Sequence, residues 1–303
     1  MNLPKVKLAI IFLIIANIIW GAAFPIYKLS LEKVPPFTFL FLRFFLGALI
    51  LLPFTYKNLK VKSRDIPTLI FLSIAGITLT ISFLNFGLSY SSSINAPIIM
   101  SASPLILIIG SFLYLKEKLR KKIIIGTLIS FLGVLVIVLM PAFGKGLDGT
   151  VNGNLFLVAA GIFSVVHALL LKKILPKYNA LTIVFWSFLI GSLPVIPFVS
   201  NEFSQTQWIY YLHTETILGI IFAVFLATAF AHSIFAYGIK YIKASEVGIF
   251  SYVDPVATIL VAVPLLNEVI TPTYVFAAIL VFGGIFVAEG RIHYHPLHRL
   301  LRN

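Results

Sequence analysis

The chain has 303 residues, of which 60% are hydrophobic and only 11% charged, with no cysteine and a formal charge of +13. Soluble domains carry about 25% charged and about 45–50% apolar residues, so a mean hydropathy of +1.05 excludes a soluble fold and marks an integral membrane protein. The missing cysteines exclude disulfides and thiolate metal sites.

A helical bilayer span needs about 20 mainly apolar residues. Ten segments qualify, in chain order Leu8–Tyr27, Phe37–Tyr56, Ile66–Leu88, Ile94–Leu115, Ile123–Met140, Gly153–Leu171, Ala180–Val199, Thr216–Ile239, Ser245–Leu266 and Thr273–Glu289. The first follows Lys5 and Lys7, as a signal peptide would. Its apolar run is long for one, and it is read as a retained helix.

With the N-terminus placed in the cytoplasm, only Lys28, Lys33 and Lys145 fall in outer loops and only Arg43 falls well inside a span, while the other nineteen of the 23 Lys and Arg fall on the inner side. Positive residues mark cytoplasmic loops. The asymmetry predicts ten spans in the inner, or plasma, membrane of the cell, with both termini cytoplasmic. The basic charge is then a matter of topology, and no nucleic-acid partner is expected.

The segment from Phe86 to Leu139 recurs, without a gap, 151 positions later from Tyr237 to Gly290. Gly87 falls on Gly238, Tyr90 on Tyr241, Pro104 on Pro255, Glu117 on Glu268 and Gly133 on Gly284. Internal repetition fixes architecture, here as two related units over residues 1–145 and 146–303. Five helices per unit is an odd number, so the second unit enters the membrane from the opposite side. The expected fold is therefore an all-α integral membrane protein, ten transmembrane helices arranged as two inverted five-helix repeats. Inverted repeats are typical of secondary transporters, which bind substrate near the midplane between the halves.

Several motifs carry a resemblance. They are Trp20-Gly21-Ala22-Ala23-Phe24 and Leu42-Arg43-Phe44, then Ser103-Pro104 followed by Leu115-Lys116-Glu117-Lys118-Leu119, and Asp254-Pro255 followed by Glu268. The chain resembles the drug/metabolite transporter superfamily, ten-helix EamA type, over nearly its whole length. The resemblance implies export or import of small metabolites, amino acids among them. Ser164 to His167 stand where a second Trp-Gly pair would open the second half, Asp254 stands for Glu, and Asn267 for the Gly before the loop Glu.

Pro104 and Pro255 are paired helix breaks, each freeing the carbonyl four residues earlier, at Met100 and Ser251. Paired interruptions in two halves point to a central site, although each proline alone also reads as a packing kink. Asp254, near the middle of its helix, needs a partner or water at that depth. It either binds a proton or a substrate ammonium, as a coupling candidate, or pairs structurally with Arg43, His167 or His232. Spacing of four puts Glu246, Phe250 and Asp254 on one helical face and Asn95, Ile99 and Ser103 on its repeat-related counterpart. Arg43 reads as a tether, or as a clamp for a carboxylate or phosphate. His167 and His232 read as hydrogen-bonded packing residues or substrate contacts, and they lack the paired spacing of a metal site. Asn17 and Trp20 lie mid-span, with Pro25 freeing the Gly21 carbonyl. Asn85, Tyr90 and Tyr237 are further cavity candidates. Glu117 and Glu268 fall at membrane faces and read as loop clamps or helix caps, and the tail residues His293, His295 and His298 read as solvated.

No G-x-x-x-x-G-K-[ST] loop, H-E-x-x-H pair or G-x-S-x-G elbow occurs. Neither an enzyme nor a cofactor or metal is expected. The reading is an alternating-access permease for an amino acid or amine, drawing on a proton or substrate counter-gradient. A sugar-type or nucleotide-type substrate, a passive channel, an intramembrane enzyme and a scaffold are its rivals. The expected partners are the substrate and membrane lipid, with the chain a monomer or homodimer.

Overall fold

The computed structural model describes residues 3–103, 105–106, 121–139, 141, 150–242 and 247–289. The described residues are helical and form no strand. Six helices are long and apolar enough to cross a membrane: α1 (Lys5–Leu31), α2 (Pro36–Asn58), α3 (Ser63–Tyr90), α6 (Val151–Lys177), α7 (Ala180–Gln205) and α8 (Thr214–Tyr241). Three shorter apolar helices accompany them: α5 (Lys121–Leu139), α9 (Asp254–Leu266) and α10 (Pro272–Glu289). The fourth expected span is described mainly over the short α4 (Asn95–Met100). Glu117, Glu246, Pro104 and the three tail histidines lie outside the described residues.

The packing follows the repeat. The helix pairs α3·α6 and α1·α8 both touch, as do α4·α6 and α1·α9, and α3·α7 and α2·α8, while α2·α7 and α5·α10 pair corresponding helices. Each of these contacts has its mate with the halves exchanged. Single residues obey the same exchange. On α5, a Cβ at Gly133 would meet Val281 Cγ2 at 2.8 Å. On α10, the equivalent Cβ at Gly284 would run into Ser130, which is Val281's own repeat partner. Ser130 Oγ donates to the Val281 carbonyl at 2.7 Å. The Gly126-x-x-x-Ser130 spacing therefore serves contact between helices of one chain, where small residues let backbones approach. Gly284→Leu is expected to overpack this crossing and cost about 1–3 kcal/mol, read as a lower Tm in detergent.

Two features are invisible to hydropathy. α3 contains a π-helical stretch over Ile74–Leu79, and α8 one over Phe222–Phe230. These overlap when 151 is added to the first. Extra-residue turns of this kind are frequent at functional sites; the first borders the cavity described next, and the second leads into His232 and Phe235, which line it.

Candidate functional site

α1 builds the first wall. Asn17, Trp20, Phe24 and Tyr27 recur at helical spacing of three and four and all line a cavity of about 260 Å³. Arg43 from α2, Gly76 and Thr80 from α3, Ser103, His167 from α6, Phe188 from α7, His232 from α8 and Asp254 from α9 complete it. The cavity thus draws on both repeats. It runs from Tyr27 and Leu84 at one end of the bundle to Leu171, Ile239 and Val247 at the other.

Pro25 stands inside α1. The Gly21 carbonyl, which Pro25 cannot satisfy, accepts from Thr258 Oγ1 at 2.7 Å. A Cβ at Gly21 would lie 2.7 Å from that of Ala257, so glycine lets α1 and α9 approach at the level of Asp254. Trp20 Nε1 donates to the Ala227 carbonyl at 2.9 Å, and His232 Nδ1 lies 3.0 Å from the same oxygen. Facing a carbonyl, Nδ1 carries the proton. The ring of His232 packs edge-on against Trp20, Phe44 and Phe188. His167 reaches the equivalent place in the other half: it packs on Gly76, which repeats as Ala227, and its Nδ1 lies 2.9 Å from the Leu72 carbonyl. Gly76 leaves no room for a Cβ beside that ring. Gly76→Ala is expected to push His167 into the cavity and lower flux several-fold, and removing the ring as well, in Gly76→Ala/His167→Ala, is expected to recover part of it.

Arg43 is 1% exposed. Its Nη2 donates to Tyr27 Oη at 2.7 Å and its Nε to Thr228 Oγ1 at 3.3 Å, with the guanidinium 3.9 Å from the Tyr27 ring centroid. It ties α2 to α1 and α8, and its Nη1 has no hydrogen-bond partner among the described residues. Asp254 forms no ion pair with Arg43, His167 or His232, and its Oδ1 is buried without a hydrogen bond among the described residues. A carboxyl oxygen and a guanidinium nitrogen, both without a hydrogen-bond partner among the described residues, therefore border one cavity. Buried polar groups are normally paired, and these two atoms are exceptions.

Asp254 also marks the break in its helix. Gly248–Val253 is 3-10 helical and α9 proper begins at Asp254, with Pro255 in its first turn, where a missing N–H costs nothing. Three residues per turn upset the spacing-of-four argument for this stretch. Phe250 is buried against Ala9, Ile10 and Leu13 of α1 rather than beside Asp254. The counterpart face fails likewise. α4 ends at Met100, a turn follows at Ser101–Ala102, and Asn95 is carried away from Ser103.

Among the sequence candidates, Asn17, Trp20, Arg43, Ser103, His167, His232 and Asp254 come together at the cavity. Asn85, Asn95 and Tyr237 do not. Asn85 donates to the Pro36 carbonyl at 2.9 Å, Asn95 joins Ser91 and Asn154 at the end of the bundle, and Tyr237 packs with Phe12 and Tyr241. Tyr27, Gly76 and Thr228 were missed. The stripe of Asn17, Trp20 and Phe24 already pointed to Tyr27, whereas the other two become special only through the π-helical stretches.

Both ends of the bundle carry a polar clasp, one between the repeats and one within the second repeat. At one end Glu268, 5% exposed, accepts from Ser92 Oγ at 2.7 Å, Ser93 N at 2.8 Å, Ser93 Oγ at 2.9 Å and Ile94 N at 3.1 Å. Lys28 Nζ lies 3.1 Å from Glu268 and 2.8 Å from the Ser91 carbonyl. Glu268 is thus a cap for the start of α4, at a loop as its position suggested. Asn267 just before it has φ 53°, a left-handed helix end for which Asn is the usual substitute for Gly. Burial alone would push the Glu268 carboxyl up, but the Ser93 amide, the Ser92 and Ser93 hydroxyls and Lys28 outweigh it and hold it below the usual glutamate range. At the other end Lys172 Nζ caps α8 at the carbonyls of Ile239 and Ile242, both at 2.5 Å. Ile242 is the repeat partner of Ser91, so a lysine ending a first helix holds the matching carbonyl in each half.

The model of the EamA-like transporter family matches twice, over residues 7–139 and 151–289. This chain belongs to that family. Among curated proteins, an uncharacterized transporter of Archaeoglobus fulgidus is 27% identical, over 88% of this chain and 94% of its own. The uncharacterized transporter YetK of Bacillus subtilis is 30% identical, over 92% and 86%. A probable amino-acid metabolite efflux pump of Salmonella typhimurium is 25% identical, over 89% and 91%. A crystal structure sharing 19% identity superposes with a TM-score of 0.65 over 97% of this chain and 98% of that one, a likeness of fold. The EamA-like chain is a multi-pass membrane transporter, and the family makes enzymatic activity unexpected.

Proposed function

We propose that this EamA-like transporter moves a small zwitterionic or amine metabolite, an amino acid first among them, by alternating access through the cavity between its repeats. The carrying observation is the pair of unbonded atoms bordering that cavity, Asp254 Oδ1 and Arg43 Nη1. An ammonium answers the first and a carboxylate the second, while Trp20, Phe24, Phe188 and Phe235 supply an apolar and aromatic surround. A nucleotide or sugar phosphate would need more cationic donors than one arginine already held by Tyr27 and Thr228. The name of the Salmonella relative leans the same way.

In this reading the chain has ten spans in the plasma membrane, its repeats inverted and both termini cytoplasmic. Asp254 alternates between a proton and the substrate ammonium, and substrate export is drawn by the counter-gradient. The Glu268 clasp closes the outer end and the Lys172 clasp the inner end, and one opens at a time. The test is flux in liposomes, with labelled amino acids, amines and sugars offered with and without an imposed proton gradient. Saturable, gradient-dependent flux of amino acids or amines is expected. Flux confined to sugars, or none from a protein that remains folded, would overturn the reading.

A further inference from the structure

A second cavity, about 250 Å³, lies away from the first, between the start of α3 and the end of α6, lined by Arg64, Asp65, Thr68, Lys173, Ile174 and Lys177. Its lining has three cations and one carboxylate, and the carboxylate is spoken for. Asp65 is buried and accepts from Lys177 Nζ at 2.6 Å and Tyr178 Oη at 2.7 Å. Arg64 and Lys173 are exposed and make no hydrogen bond or ion pair among the described residues. The Asp65 bridge fixes the floor, and two free cations and the Thr68 hydroxyl stand around it. This donor set suits an oxyanion of phosphate geometry, which an arginine fork can hold through two parallel bonds.

What continues from the cavity decides the kind of phosphate. Lys173, Ile162 and Leu155 recur along α6 at intervals of eleven and seven and so share one stripe. Ile162 and Leu155 are exposed, and on α3 so are Ile66, Ile70 and Phe71, the last at 60%. Beyond the cations, exposed apolar side chains thus follow two packed helices. A soluble phosphate has no use for those side chains, whereas an acyl chain does. Basic pockets between transmembrane helices are suited to anionic headgroups. We propose that this cavity is a binding site for an anionic glycerophospholipid, its headgroup phosphate on Arg64 and Lys173 and a chain along α3 and α6. The site joins a helix of each repeat and is independent of what the central cavity carries.

The whole protein in detergent would be titrated with phosphatidylglycerol or phosphatidylcholine and the bound lipid counted by native mass spectrometry. The wild type is expected to prefer phosphatidylglycerol. Arg64→Gln/Lys173→Gln is expected to weaken that binding roughly tenfold or more, at about a tenfold factor or less per surface charge. Lys173→Arg, which keeps the charge, and Lys57→Gln/Lys60→Gln, which removes two exposed charges from the nearby loop, are expected to bind as the wild type does. Equal binding by the Arg64/Lys173 double variant would overturn the site. So would an equal loss in the Lys57/Lys60 variant, which would make the preference a general effect of surface charge. Displacement of the lipid by inorganic phosphate at matched concentration would overturn the lipid assignment in favour of a soluble anion.

Discussion

Asp254→Asn is expected to abolish proton-dependent flux while the protein still folds and inserts. The substitution keeps the shape of the side chain and removes only its charge and titration. Among the described residues Oδ1 is buried without a hydrogen bond and Asp254 forms no ion pair, so the structural penalty is expected to be small. A substrate ammonium, by contrast, loses a charge-assisted bond of about 1.5–3 kcal/mol, or roughly 10- to 100-fold in half-saturation. Asp254→Glu keeps the charge and is expected to retain partial activity. Unchanged flux and unchanged pH dependence in Asp254→Asn would remove the carboxylate from the mechanism.

Glu268→Ala is expected to have the largest structural effect of any loop substitution. It leaves the amides of Ser93 and Ile94 without their acceptor and the Lys28 ammonium with the Ser91 carbonyl but no carboxylate. An unsatisfied buried donor costs about 1–3 kcal/mol. Two such donors and a half-buried lysine place the total at about 2–4 kcal/mol. Its pH dependence has a definite sign. The carboxyl is held below its ordinary 4.5 in the folded protein, so its contribution is complete at neutral pH. The contribution begins to fade as pH drops past that ordinary value and is lost once pH falls through the lowered one. Thermal unfolding of wild type and Glu268→Gln should therefore differ most at neutral pH and converge below pH 4.5. A constant difference across that range would assign the clasp to its neutral hydrogen bonds alone.

Much of this was legible beforehand. Long apolar runs announced the six crossing helices, because length and hydropathy are what a bilayer demands. The repeated Gly and Glu positions announced which helices would be partners, and Gly133 with Gly284 became the α5·α10 crossing. Pro25 announced a free Gly21 carbonyl, although nothing near it in sequence named Thr258, 237 positions away, as its donor. Glu268 was legible as a loop acid for the same reason, with its serine partners hidden. Helical periodicity failed where the backbone left the α-helix. Phe250 and Asn95 were placed by a 3.6-residue period that the 3-10 stretch and the turn after Met100 do not keep. The π-helical stretches of α3 and α8 had no compositional signal, so Gly76 and Thr228 passed unnoticed.

Alternating access is tested most directly by a single thiol in the cavity, which the cysteine-free chain makes possible without further changes. Ser103→Cys lines the cavity and would be labelled with a membrane-impermeant reagent from either side of sealed vesicles. Weakening the Glu268 clasp with Glu268→Gln is expected to raise labelling from the outer side, and weakening the other clasp with Lys172→Met to raise it from the inner side, with transported substrate protecting in both. Labelling that rises from both sides at once in either variant would describe an open pore and contradict the account.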